Sequence, residues 1–380
     1  MGDDDVDRNR PLVLAEDTDL LDDLLRLAAA AGCELHRVAD AVALRRDWGT
    51  APLVLLDPAG VARCAAAVPP RRPGVLVVCA GEPPPQLWPH AVAVGAERVV
   101  SLPRDEEWLV AALTDAVETP GPGRGRVLAL LGGRGGAGAS TLAAAVAVTA
   151  ARRGDRTLLV DCDPLGGGLD LALGLETADG LRWPELALGS GRVAASSLRA
   201  ALPATECGDT PLTVLSCDRS GRAPAPDAVA AVVDSARRAG ETVVCDLPRH
   251  LPEFALVALD RADLVLLVVP ADVRSCAAAS VTATRLAERG ARLGLVVRLP
   301  APGGLTPGDV SRALGCPVLA CVRDDPAVGK VLDHGRLPGR RGTLSRVARR
   351  VLDALAGTAA RQQVGASPDG RSPVGAGRAG

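Results

Sequence analysis

LALLGGRGGAGASTLAAAVAVTAARRG, residues Leu128 to Gly154, decides how the chain is read. Val127 to Leu131 is a short apolar run of the kind that forms a buried strand. The Ala/Val/Leu segment after Thr141 reads as a helix ending in Arg152, Arg153 and a C-cap at Gly154. Between them, Gly133 to Ser140 follows the phosphate-loop spacing G-x-x-x-x-G-K-[ST], except that Ala139 stands where the lysine belongs. Gly132, Gly133, Gly135, Gly136 and Gly138 carry no Cβ. Successive backbone N–H groups can therefore converge on phosphate oxygens at the positive end of the following helix. A glycine cluster is also what a tight strand-to-helix turn requires.

The downstream sequence favours the phosphate reading. RTLLVDCDP places Asp161 and Asp163 at the end of a second apolar strand, and ETVVCDLP places Asp246 at the end of another. In open α/β sheets, ligands sit outside the carboxyl ends of strands, so these carboxylates and the glycine loop converge on one crevice. Ordinary strand-end turn chemistry is the other use of such aspartates.

Gly133-Arg134-Gly135-Gly136-Ala137-Gly138-Ala139-Ser140-Thr141 resembles the deviant Walker A motif G-K-G-G-x-G-K-[ST]-T of the MinD/ParA ATPases. DCDPLGGGLDLALGLE, from Asp161 to Glu176, resembles the switch segment of the CpaE/TadZ branch. GLRWPEL and the Walker-B-like VVCDLPR are similar to actinobacterial CpaE-like proteins, known as septum site-determining proteins. The resemblance runs from about Arg126 to Gly357. It implies a P-loop NTPase-type doubly wound sheet that binds ATP and Mg²⁺. Arg134 would take the signature-lysine position that reaches the partner subunit's phosphates in a nucleotide-sandwich dimer. Arginine keeps that charge and adds a fork suited to phosphate. Ser140, Asp161 and Asp246 would lie on the metal side, with Thr141 continuing the pattern and Asp163 positioning water. Two departures weaken the match: Leu247-Pro248-Arg249-His250 follows Asp246 where a glycine is usual, and Arg298 replaces the adenine-contacting asparagine. A guanidinium there could stack on adenine or be a surface arginine.

With 380 residues, two domains plus a tail is the expectation. Aromatics are about 1% against 48% hydrophobic residues, so the cores must be built from Leu, Val and Ala. Net charge is −2, without a polybasic tract, which argues against nucleic acid and against direct attraction to an anionic membrane. Lys330 is the only lysine, so no other lysine replaces the missing one. The ten cysteines are scattered without a C-x-x-C pair and read as buried free thiols in a reducing cytosol. MGDDDVDRNR lacks an apolar signal region, and no apolar run reaches the length of a membrane span. A cytoplasmic location is expected, with membrane association only through partners.

Residues 11–118 follow a ten-residue acidic extension and have their own βα rhythm. Strands are expected at PLVLAE, CELHRV, PLVLLD, GVLVVCA and ERVVSL, giving a flavodoxin-like sheet. The strand ends resemble a response-regulator receiver domain: Glu16 and Asp17 match its acidic pair and Asp57 its phosphoacceptor. Cys79 and Leu102, however, stand where the Thr/Ser and the lysine belong. Without that lysine, phosphoryl chemistry is disfavoured and a pseudo-receiver used for docking is expected. A Pro/Gly linker, 119–125, leads to the ATPase-like domain, 126–357. Its further strands are expected at LTVLS, TVVCD, DLVLLVVP, RLGLVV and PVLACV, in a parallel sheet covered on both faces. Thr343 to Ala356 reads as a last core helix rather than a terminal membrane helix, and a disordered tail is expected over 358–380. The function expected is spatial regulation of septum placement or of a Tad-type pilus or secretion apparatus. ATP-dependent homodimerisation would be the switch and hydrolysis weak or absent. The alternative is a nucleotide-free scaffold.

Overall fold

The computed structural model describes residues 10–66, 70–117, 125–186, 193–336 and 339–365. The acidic start up to residue 9, nearly all of the expected linker and residues 366–380 lie outside them. The chain divides into two compact units, Met1–Gly125 with Asp179–Pro203 and Ala225–Glu241, and Arg126–Ala178 with Ala204–Pro224 and Thr242–Gly380.

The first unit opens with β1 Leu12–Leu14, α1 Thr18–Ala30, β2 His36–Arg37, α2 Ala41–Asp47, β3 Val54–Leu56, α3 Pro58–Ala66, β4 Val75–Ala80, α4 Leu87–Val94, β5 Arg98–Leu102 and α5 Glu106–Val117. The strands pair in parallel in the order β2-β1-β3-β4-β5, the flavodoxin-like order. Side chains alternate across a strand, so each strand feeds two cores. Val13, Leu55, Leu76 and Val78 pack with Leu24 of α1 and Leu109 of α5. Leu12, Leu14, Val54 and Leu56 pack with Leu44 of α2, Val61 of α3 and Leu87 of α4.

The chain continues with β6 Arg126–Gly132, α6 Ala139–Arg152, β7 Thr157–Asp161, α7 Leu169–Ala172, a short 3₁₀ turn at Trp183–Glu185, α8 Ala195–Ala201, β8 Ala204–Glu206, β9 Pro211–Leu215, α9 Pro226–Arg238, β10 Thr242–Asp246, α10 Glu253–Leu259, β11 Leu264–Pro270, α11 Val273–Glu288, β12 Leu293–Leu299, α12 Pro307–Leu314, β13 Val318–Arg323, α13 Pro326–Asp333 and α14 Thr343–Gly365. Of these, α8 and α9 fall within the first unit, where buried Asp115 of α5 accepts hydrogen bonds from the N–H of Ala195 at 3.1 Å and from Arg238 Nε at 3.3 Å.

The eight-stranded sheet of the second unit runs β13-β12-β11-β6-β10-β7-β9-β8. It is parallel except for β8, which lies antiparallel to β9 on the edge; this three-residue strand was not expected from the sequence, having no apolar run to mark it. One face carries α6 and α14, with Leu128, Leu159, Val244, Leu266 and Val296 packed against them. Here α6 is nearly all Ala and Val on its buried positions, which lets it lie close to the central strands without aromatic filling. α11 and α12 pack on the other face. The apolar side of α14, Val347, Ala348, Val351, Leu352 and Leu355, is buried in this core, so the helix is a core element as expected. Its backbone stays helical to Gly365, correcting the tail expected to begin at Thr358. The Ala, Arg and Gln that follow are good helix formers, and no proline interrupts them.

Candidate nucleotide-binding site

The loop between β6 and α6 lies at the carboxyl edge of the central strand. Gly136 and Gly138 have φ of 69° and 94°, a left-handed backbone that favours glycine. A Cβ at Gly133 would sit 2.7 Å from Ala279 Cβ, so this position is closed against α11, whereas Gly135 and Gly136 face open space. Gly138 caps α6 without a side-chain acceptor, which leaves first-turn N–H groups for an anion. Ala137 and Ala139 are buried in the core, so the place of the missing lysine is packed by a methyl group. Ser140 is exposed at the loop mouth and Thr141 is half-buried behind it.

Register brings the carboxylates together. β10 lies between β6 and β7, with Asp246 opposite both Leu130 and Asp161. Asp246 is buried, and burial followed by the neighbouring Asp161 charge pushes its carboxyl up to about 8, opposed by the hydrogen bond from the Ser140 hydroxyl. Burial likewise raises Asp161. Asp161 spends both oxygens on its own surroundings: Oδ1 accepts the Asp163 N–H at 3.0 Å, and Oδ2 accepts the Leu169 N–H and the Ser216 hydroxyl, each at 3.0 Å. Asp163 is half-buried and accepts the Leu165 N–H at 3.1 Å. The Ser140–Asp246 contact and the open cradle fit a phosphate–Mg²⁺ group; Asp161 is placed to hold the segment after β7.

That segment contains residues the sequence reading passed over. Asp170, fully buried at the start of α7, accepts from the Ser216 hydroxyl at 3.3 Å and from Arg219 Nη2 at 3.1 Å. A charge inside the apolar run GLDLALGL was the available signal. Burial pushes the Cys162 and Cys217 thiols up, which keeps them protonated beside these aspartates.

Both expected arginines are engaged within their own chain. Arg134 Nε donates to Ser275 Oγ at 2.7 Å, 4.0 Å from Asp272 Oδ2, at the start of α11, and its Nη1 donates to the Gly135 carbonyl at 3.1 Å. Arg298 Nη1 donates to the Gly136 carbonyl at 2.9 Å and its Nε to Asp324, so the guanidinium is tied to the loop. It lines a cleft of about 340 Å³ with Ala137, Gly138, Thr141, Val322 and Asp324.

A family of CobQ/CobB/MinD/ParA nucleotide-binding domains matches residues 128–337. The chain belongs to that family. An Rv3660c-like, CheY-like N-terminal domain matches residues 14–125. The protein Rv3660c of Mycobacterium tuberculosis (strain H37Rv) is 46% identical over 343 residues, 89% of this chain and 96% of the relative. The ParA family ATPase of Chlorobium tepidum TLS superposes with a TM-score of 0.53 at 18% identity, covering 60% of this chain and 98% of its own. A chain of the MinC:MinD cell division protein complex from Aquifex aeolicus gives 0.50 at 20%, covering 60% of this chain and 96% of its own. These likenesses show a MinD/ParA-type nucleotide-binding fold behind a receiver-like domain.

In the receiver-like domain, Asp57 is buried and its carboxylate is occupied. Oδ2 accepts the N–H groups of Glu16 at 2.7 Å and Asp17 at 3.1 Å, and Oδ1 accepts that of Gly60 at 2.5 Å. Asp17 caps α1 through the N–H groups of Asp19 and Leu20, while Glu16 pairs with Arg63 at 2.9 Å. Leu102, at the lysine position, is buried. Among the described residues, no group of three or more His, Cys, Asp or Glu is arranged to hold a metal, and no helix is long and apolar enough to cross a membrane.

Proposed function

We propose that the chain is an ATP- and Mg²⁺-binding spatial regulator in which nucleotide-dependent homodimerisation is the switch and hydrolysis is weak or absent. The observation that carries this reading is the pairing of an open glycine cradle, with the Ser140 hydroxyl beside buried Asp246, and a methyl group at Ala139 where the loop cation belongs. Phosphates would be held by the loop N–H groups and the start of α6, and the metal by Ser140 with Asp246 behind it. Charge developing on the transferred phosphoryl group would have no lysine from the loop. Asp163 is the candidate for positioning water.

The partners fit the same class. MinD of A. aeolicus assembles with MinC in a cell division complex, and by that analogy this protein would act on septum placement or on a pilus or secretion apparatus at the cytoplasmic side. The pseudo-receiver is proposed as a docking module. A nucleotide-free scaffold is the second reading, favoured by Arg134 and Arg298 both being tied to their own chain. Titration of ATP with and without Mg²⁺ separates the two, since only the first reading gives saturable, metal-dependent binding.

A further inference from the structure

A second concavity of about 410 Å³ opens in the same unit beside β13 and the first turns of α14. Arg323, Arg346 and Arg350 line it with Leu299, Ala320 and Val347, and no carboxylate is among its lining residues. Some arginines elsewhere in the chain meet carboxylates. Arg26 meets Glu106 at 2.7 Å, Arg153 meets Asp353 at 2.9 Å and Arg289 meets Asp260 at 2.7 Å. Carboxylates are not scarce either, at 45 against 43 Lys and Arg. Yet none of these three arginines is in an ion pair among the described residues. The polar contact of Arg346 is with the Thr343 hydroxyl at 3.5 Å.

Arg346 and Arg350 stand four residues apart on α14, where like charges destabilise a helix. Arg323 brings a third cation from β13. Three guanidiniums held around one concavity without a counter-charge form an arrangement that an anion relieves, and their planar forks match a phosphate group bidentately. The apolar residues beside them leave room for a small organic body.

We propose that this cavity is a second anion site, distinct from the glycine loop, that takes the phosphate group of a phosphate ester. It does not rest on the nucleotide reading, because Arg346 and Arg350 lie outside the cleft at the loop; Arg323, which lines both, is left intact in the test.

The test is calorimetric titration of the full chain with sodium pyrophosphate, comparing wild type with an Arg346→Gln/Arg350→Gln double variant. Both side chains are exposed and the buried side of α14 is untouched, so the melting temperature should not fall. Whatever binds at the glycine loop is unchanged in the variant, and the cavity is read as the event that is lost. Each guanidinium removed should weaken that event about tenfold. Arg346→Lys/Arg350→Lys should restore part of it, through charge without the fork. A parallel arm uses sedimentation with phosphatidylglycerol-containing vesicles. Vesicle binding lost in the double variant places the phosphate on a lipid headgroup, and pyrophosphate binding lost without any vesicle binding places it on a free ester. A double variant that matches wild type for both probes, or a wild type that shows no pyrophosphate event beyond the loop and no vesicle binding, overturns the proposal.

Discussion

Replacing Asp246 by asparagine should make the metal-free protein more stable in alkaline solution. Asp246 ends β10 fully inside the sheet, beside Asp161 on β7, and burial together with that like charge pushes its carboxyl from 3.8 to about 8. Between those values the folded chain holds a proton that the unfolded chain has released. The unfolding free energy therefore falls as pH rises from about 4 to about 8, and the loss is complete above it. At about 1.4 kcal/mol for each tenfold change, the ceiling is roughly 6 kcal/mol. Because Asp161 shares the burden, about half of that is the expected gain for Asp246→Asn. The assay is urea denaturation in EDTA across pH 5 to 9, read by circular dichroism. Wild type should lose stability towards pH 9 while the variant stays nearly level, and the gap should narrow towards pH 5. Parallel pH profiles, or a variant less stable than wild type at pH 9, would refute the placement of two neighbouring buried carboxylates at these strand ends.

Three further outcomes are expected. Ala139→Lys, measured by phosphate release, should raise ATP turnover roughly a hundredfold if a loop cation is what hydrolysis lacks. Arg134→Ala should abolish ATP-dependent dimerisation in light scattering while leaving the fold intact; a fall in monomer binding alone would instead assign Arg134 to its own subunit, where it meets Ser275. Asp57 should remain unmodified in mass spectra after acetyl phosphate and Mg²⁺, because three backbone N–H groups already occupy its carboxylate and Leu102 offers no cation; stoichiometric phosphorylation would contradict this.

Features written in local pattern were legible in the sequence. TVVCD forms β10 over Thr242–Asp246 as read, because an apolar run needs no distant partner to be recognised. The flavodoxin-like order of the first sheet followed from five βα repeats. Features set by distant contacts were not legible. β8 exists because Ala204–Glu206 can pair with β9, and its own residues show no alternation. Asp170 looks like a lone charge in an apolar run until Ser216 and Arg219, more than forty residues later, meet it. Arg298 occupies the expected strand end, but its partners, the Gly136 carbonyl and Asp324, belong to the loop and to the end of β13, so the tie to the loop could not be read from its position. The same holds for Arg134: a motif gives its place on the loop, while the side chain's direction depends on Ser275 at the start of α11.

The most direct measurement is an ATP-binding isotherm of the purified chain with and without Mg²⁺, taken with a turnover assay on the same preparation. The expected result is saturable binding that Mg²⁺ strengthens, with phosphate release close to the background rate, because the cradle and the Ser140–Asp246 contact are present while Ala139 supplies no charge. Brisk hydrolysis by the wild type, or no detectable binding at about millimolar ATP, where even the weak end of the usual affinity range registers, would contradict it.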